Sequence, residues 1–153
     1  MRRGLATLFN NLSPRGPVPP LHNEVKMANI LVIEDDSSLR DTLRIHLSSA
    51  GYSVRVAADA AEAIRTILNG TPDLILSDVS LPYMDGFELL DVLRRDDSTR
   101  SIPVILLTGL VDDDNYVKGI RLGATAYLTK PVLRDELLKT IAGALRSAGK
   151  KQD

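Results

Sequence analysis

The chain of 153 residues contains no cysteine. That excludes disulfides, zinc–thiolate sites and thiol catalysis, and it fits a reducing compartment, so a cytoplasmic location is the expectation. No apolar run approaches the roughly 20 residues of a membrane-spanning helix, and no membrane contact is expected. The formal net charge is −1, too small for a global field that would draw the chain to nucleic acid or an acidic membrane. Any charge-based function must be local, and no direct contact with nucleic acid is expected. No repeat recurs at a fixed period. The apolar and charged fractions are those of an ordinary globular protein, and the length suits one domain with a real core.

The first residues differ from the rest. Arg2, Arg3, Arg15 and Lys26 stand against a single acid, Glu24, among Pro14, Pro17, Pro19 and Pro20. The stretch from Leu5 to Phe9 is too short for the apolar core of a signal peptide. The reading is a disordered leader over 1–27, one domain over 28–147 and a short tail over 148–153. A small amphipathic contact through Leu5, Leu8 and Phe9 is the alternative use of the leader.

From Asn29 the pattern becomes regular. Ile30 to Ile33 is a continuous apolar run, a buried strand, and it stops on Glu34, Asp35 and Asp36. Ser37 and Ser38 offer a helix N-cap. Leu39, Leu43 and Leu47 then mark one face of a helix that ends at Gly51. A second strand spans 52–57. Asp59 caps a second helix with Ala60, Ile64, Ile67 and Leu68 as its apolar positions. Leu74-Ile75-Leu76 is a third strand ending on a lone carboxylate, Asp78, before the loop-makers Pro82 and Gly86. Phe87, Leu90 and Leu93 mark a third helix. The stretch 102–107 is a fourth strand, ending at Thr108 and Gly109. A weaker helix runs from about 112 to 122, a short strand spans 126–128, and a last helix over 133–146 carries Leu137, Leu138, Ile141 and Leu145. Strands alternating with helices predict an α/β fold with a parallel sheet covered on both faces.

In such a sheet the C-terminal strand tips lie along one edge, where ligands bind. That edge would collect Glu34, Asp35, Asp36, Asp78, Thr108 and Lys130. Crowded carboxylates repel and resist ionisation; a divalent cation relieves the repulsion, and an all-oxygen donor set suits octahedral Mg²⁺. A carboxylate beside a metal, a lysine and a hydroxyl suits phosphoryl transfer, with Asp78 as the nucleophile. Asp36 reads better as a helix cap than as a ligand. His46 reads as a border packing residue, and His22 has no visible partner.

Four stretches, in order, resemble the receiver domain of two-component response regulators, the chemotaxis-regulator-like family. They are Ile30-Leu-Val-Ile-Glu-Asp-Asp36, Leu76-Ser-Asp-Val-Ser-Leu-Pro82 with Met84-Asp-Gly86, Leu106-Leu-Thr-Gly109, and Ala126-Tyr-Leu-Thr-Lys-Pro131. The resemblance implies a doubly wound five-stranded parallel sheet of order 2-1-3-4-5, flavodoxin-like. It implies Asp78 as the phosphoacceptor. Mg²⁺, with Mn²⁺ as a substitute, would be held by Asp35, Asp78, the main-chain carbonyl of Ser80 and, through water, Glu34. Lys130 and Thr108 would stabilise the phosphoryl group, a cis bond would precede Pro131, and Thr108 and Tyr127 would form the switch pair. A histidine kinase or histidine phosphotransfer protein would be the donor. Output would pass to a downstream protein through the face of the fourth helix, fifth strand and fifth helix, with the chain monomeric or weakly dimeric through that face.

With no output segment evident after the last helix, the reading is a stand-alone signalling receiver, not an enzyme beyond its own phosphorylation and dephosphorylation. Leu110, two past Thr108, cannot position water, so slow to moderate self-dephosphorylation is expected. Thr125 stands where the family often has Asp; no role is assigned to it. A phosphate sink for a kinase is one alternative. A haloacid-dehalogenase-type phosphatase is another, but it needs a second acid where Ser80 stands. A flavodoxin-like electron carrier would need a first loop that cradles phosphate, and Glu34, Asp35 and Asp36 would repel one.

Overall fold

The computed structural model describes residues 27–109 and 113–152, with backbone alone for 150–152. The leader with Leu5, Leu8, Phe9 and His22, and also Leu110, lie outside the described residues. Strands β1 (Asn29–Ile33), β2 (Ser53–Ala57), β3 (Leu74–Asp78), β4 (Val104–Thr108) and β5 (Ala126–Thr129) alternate with helices α1 (Ser37–Ser49), α2 (Ala60–Leu68), α3 (Gly86–Arg95), α4 (Asp113–Leu122) and α5 (Arg134–Gln152). All pairings are parallel and the order is β2-β1-β3-β4-β5, the expected topology.

The middles of β1, β3 and β4 are apolar and buried because both faces are covered. Alternation along each strand sends residues to opposite layers. Leu31, Ile33, Ile75 and Leu106 join Ala63, Ile67, Phe87 and Leu90 from α2 and α3. Ile30, Val32, Leu74, Leu76, Ile105 and Leu107 join Leu43, Leu47, Leu137 and Ile141 from α1 and α5. The sheet turns direction between β1 and β3, where Ile33 sits beside Ser77. That is the switch point at which crevices open in sheets of this kind. The next residues of those two strands are Glu34 and Asp78.

Several local expectations shift. The cap of α1 is Asp36, as that residue was read, and its carboxylate accepts the amides of Ser38 and Leu39; Ser37 and Ser38, the other cap expectation, lie inside the helix. On α2, the buried face is Ala60, Ala63 and Ile67, and Leu68, the last helical residue, lies off it and is 80 % exposed. The last helix continues past Arg146 to Gln152 with Gly149 inside it, since no proline stands in that stretch. The cap of α3 is Asp85, in a reciprocal box with Glu88, a D-x-x-E signature passed over in the sequence.

Candidate functional site

The strand ends place Glu34, Asp35 and Asp78 together: one carboxylate oxygen from each lies within 4.8 Å of the others. Asp35 is exposed at the rim. Below it, the side chains of Glu34 and Asp78 are 1 % and 4 % exposed. Lys130 arrives from the end of β5. Its ammonium donates to Asp78 Oδ2 at 2.7 Å and lies 3.0 Å from Glu34 Oε1. The backbone N–H of Ser80 donates to Asp78 Oδ1 at 3.1 Å, so the first turn of the loop orients the carboxylate. Thr108 is buried at the tip of β4, and its carbonyl accepts the Lys130 amide at 2.7 Å. The peptide bond between Lys130 and Pro131 is cis.

Glu34 is the frustrated member. Its Oε2 accepts the Asp36 amide at 3.2 Å. Its Oε1 is buried with no hydrogen bond: the nearby ammonium makes a charge contact but is not aligned to donate. Burial, helped by the hydrogen bond and charge of neighbouring Asp78, pushes the Glu34 carboxyl up from 4.5 to about 7, with Lys130 and the Asp36 amide working the other way. Burial acts to lower Lys130, but its hydrogen bond to Asp78 and the charges of Asp78 and Glu34 outweigh it and hold the ammonium above its usual 10.5. One cation thus faces three carboxylates, one of them with an oxygen that has no donor. Hard oxygen donors in this excess are what a divalent cation such as Mg²⁺ satisfies, and Glu34, Asp35 and Asp78 fit that role.

Two supports, Arg40 and Gly86, were not read from the sequence as parts of the site. Arg40 on α1 donates to the main-chain carbonyl of Glu34 at 2.8 Å and fixes the turn carrying the acidic pair; no pattern in the sequence marks it. Gly86, read only as a loop-maker, packs directly under Asp78: a Cβ there would overlap the carbonyl oxygen of Asp78 and the Cα of Val79. The Gly86 amide closes the loop on the Val79 carbonyl at 2.8 Å. Thr125, given no role above, accepts the Val104 amide through its hydroxyl at 3.2 Å and donates its own amide to the Val104 carbonyl at 2.8 Å, extending the β4–β5 ladder.

Tyr127, on β5 beside Leu106, packs partly buried against the layer containing Phe87 and Leu106. Its ring meets Tyr116 edge-on, with centroids 5.5 Å apart. A Cβ at Gly109 would meet nothing within 4 Å, so the loop after Thr108 is unobstructed there. Asp36 stays with the helix cap, and His46 is half-buried at the border of α1. No helix among the described residues is long and apolar enough to cross a membrane.

The comparisons with known proteins converge. The model of the response regulator receiver domain matches residues 30–142. The DNA-binding dual master transcriptional regulator RpaA of Synechocystis is 40 % identical over 120 residues, covering 78 % of this chain and 50 % of that protein. The phosphate regulon transcriptional regulatory protein PhoB of Pseudomonas aeruginosa is 38 % identical, covering 78 % and 52 %. The chain therefore spans about half the length of these curated relatives, and their names give no support to the expectation that it avoids nucleic acid. Among solved structures, the chemotaxis response regulator CheY4 of Vibrio cholerae is 35 % identical with a TM-score of 0.73, covering 77 % of this chain and 98 % of that one. A CheY-like receiver domain protein of Methanospirillum hungatei is 34 % identical with a TM-score of 0.76, covering 82 % and 98 %. Fold, acidic edge and sequence likeness agree: the chain belongs to the response regulator receiver domain family of two-component signalling systems.

Proposed function

We propose that Asp78 accepts a phosphoryl group from the phosphohistidine of a histidine kinase or histidine phosphotransfer protein, and that the resulting charge switches a protein-binding face. The observation that carries this reading is the Lys130 ammonium set between Asp78 and Glu34 at 2.7 and 3.0 Å, at the bottom of a three-carboxylate edge. Asp78 is a weak nucleophile held in a fixed orientation by the Ser80 amide. An Asp78 oxygen forms the bond to phosphorus as the phosphorus–nitrogen bond breaks. The imidazole nitrogen keeps that electron pair and takes up a proton.

Lys130 is placed to follow the charge onto a phosphoryl oxygen, and the Thr108 side chain can hydrogen-bond another. Bound among Glu34, Asp35, Asp78 and the Ser80 carbonyl, Mg²⁺ would neutralise the carboxylates and the equatorial oxygens of the incoming group. Ser80 offers no general acid two residues after the nucleophile, so the phosphatase alternative lacks its second catalytic group.

The phosphoryl group brings new charge and acceptor oxygens to a place already crowded with carboxylates. Drawing Thr108 and Lys130 toward it pulls on the ends of β4 and β5 together. Tyr127 lies on β5 three residues before Lys130, and the exposed Tyr116, Val117 and Ile120 present an apolar face on α4. A shift in that face is the output, read by a downstream protein or a second copy.

The test is incubation with Mg²⁺ and phosphoramidate followed by intact mass. The expected result is one added phosphoryl group, lost in Asp78→Ala. Addition at another residue, or none in the wild type, contradicts the proposal.

A further inference from the structure

Tyr127 rests in a position that its two ends value differently. The hydroxyl is buried without a hydrogen-bond partner, whereas a buried tyrosine hydroxyl nearly always finds one. The ring is well placed: it meets Tyr116 at 80° with centroids 5.5 Å apart, a favoured edge-to-face arrangement. One residue borders both that space and the packed layer behind it. Gly119 is buried on α4, and a Cβ there would come within 3.2 Å of Leu106 Cδ1 and 3.4 Å of both Phe87 Cε1 and Tyr127 Cδ2. Leu106 and Phe87 are 0 % and 5 % exposed, locked between the sheet and α3, and Lys118 closes over the Phe87 ring at 4.7 Å. Of the three neighbours, only the partly buried Tyr127 has somewhere to go.

We propose that Gly119 is a positioning residue for the switch. Its missing Cβ admits the Tyr127 ring to the inward position, and the unpartnered hydroxyl keeps that position close in free energy to an outward, hydrated one. The inference rests on the switch reading and deepens it. Tyr127 pairs with Leu106 on the strand that ends in Thr108, and precedes Lys130 on its own strand, so the site and the ring bias the same pair of strands. Whatever favours the inward ring should then favour phosphoryl uptake at Asp78, and the reverse, by linkage. Alanine is also a better helix former than glycine, so α4 itself is not weakened by Gly119→Ala.

The experiment uses the full chain carrying 3-fluorotyrosine, with Mg²⁺ and beryllium fluoride as the phosphoryl mimic. The Tyr127 resonance is identified by its loss in Tyr127→Phe, and the fully exposed Tyr83 supplies the hydrated reference. In Gly119→Ala the Tyr127 resonance should move toward that reference, and the mimic should bind about fivefold more weakly, the low end of common coupling strengths. Tyr127→Phe, which keeps the ring and removes the orphaned hydroxyl, should bind the mimic at least as tightly as the wild type and melt a few degrees higher. An unmoved resonance and unchanged affinity in Gly119→Ala would overturn the proposal, as would weaker binding by Tyr127→Phe. If the wild type itself fails to bind the mimic, the phosphoacceptor reading falls instead, and the resonance in Gly119→Ala still decides whether residue 119 places the ring.

Discussion

The two edges of the sheet treat charge in opposite ways. At the N-terminal edge, cations meet carbonyls. Arg94 donates to Gly123 O through Nε and Nη2 at 3.0 and 2.9 Å, and through Nη1 to Ile102 O at 2.8 Å and Arg100 O at 3.2 Å. Arg55 reaches Thr66 O at 3.1 Å, Gly70 O at 2.6 Å and the side chain of Asn29 at 3.3 Å. These oxygens belong to helix ends and turns, which leave carbonyls without partners. At the C-terminal edge, carboxylates meet carboxylates, one lysine serves two of them, and Glu34 keeps an oxygen with no donor. A satisfied edge stabilises the fold; an edge left short of positive charge suits the cation and phosphoryl group proposed for it.

The largest way to break that contrast is at Lys130. Lys130→Ala should slow phosphorylation by phosphoramidate about 100-fold or more, the scale of losing one preorganised electrostatic stabiliser, measured by intact mass against time. At the other edge the loss should appear in stability rather than chemistry. Arg94→Ala leaves the Gly123, Ile102 and Arg100 carbonyls without their donor and should cost about 3 kcal/mol in urea unfolding. Its phosphorylation rate below the unfolding transition should match the wild type.

The third prediction concerns pH. Folded Glu34 binds its proton up to about 7, whereas the unfolded chain releases it near 4.5. Between those values the folded state holds a proton the unfolded state has lost, so without metal this contribution is full below pH 4.5 and disappears as pH rises through about 7. The fall should be up to about 3 kcal/mol, read from metal-free unfolding across that window, and Glu34→Gln should flatten it. The smallest effect belongs to Thr125→Val, which takes the acceptor from the Val104 amide and should cost about 1 kcal/mol, with phosphoryl uptake unchanged.

The C-terminal edge was legible in the sequence because its signal is abrupt. Apolar runs stop at charged residues, as the run 30–33 does at Glu34 and the run 74–76 does before Asp78, and parallel topology then brings the stops together. The N-terminal edge was not legible. A side chain that serves main-chain carbonyls needs no complementary residue type, so nothing in the sequence marks Arg94 or Arg55. Close approach is silent for the same reason. Nothing near Gly86 or Gly119 announces that a Cβ would strike Asp78 or crowd Tyr127. Helix faces were read well where they meet the sheet, as at Leu137 and Ile141, and poorly at helix ends, where Leu68 points to solvent. The Asp85–Glu88 capping box was present in the sequence and simply passed over.

The central claim is that Glu34 carries a charge this edge cannot satisfy alone, so that cation binding must remove its proton. It is tested most directly by titrating Mg²⁺ into the protein from about pH 5.5 to about pH 8. The apparent affinity should climb about tenfold per pH unit while Glu34 is protonated and level off near pH 7, with the climb abolished in Glu34→Gln. An affinity that is flat over this range in the wild type, or a climb that survives in Glu34→Gln, would contradict it.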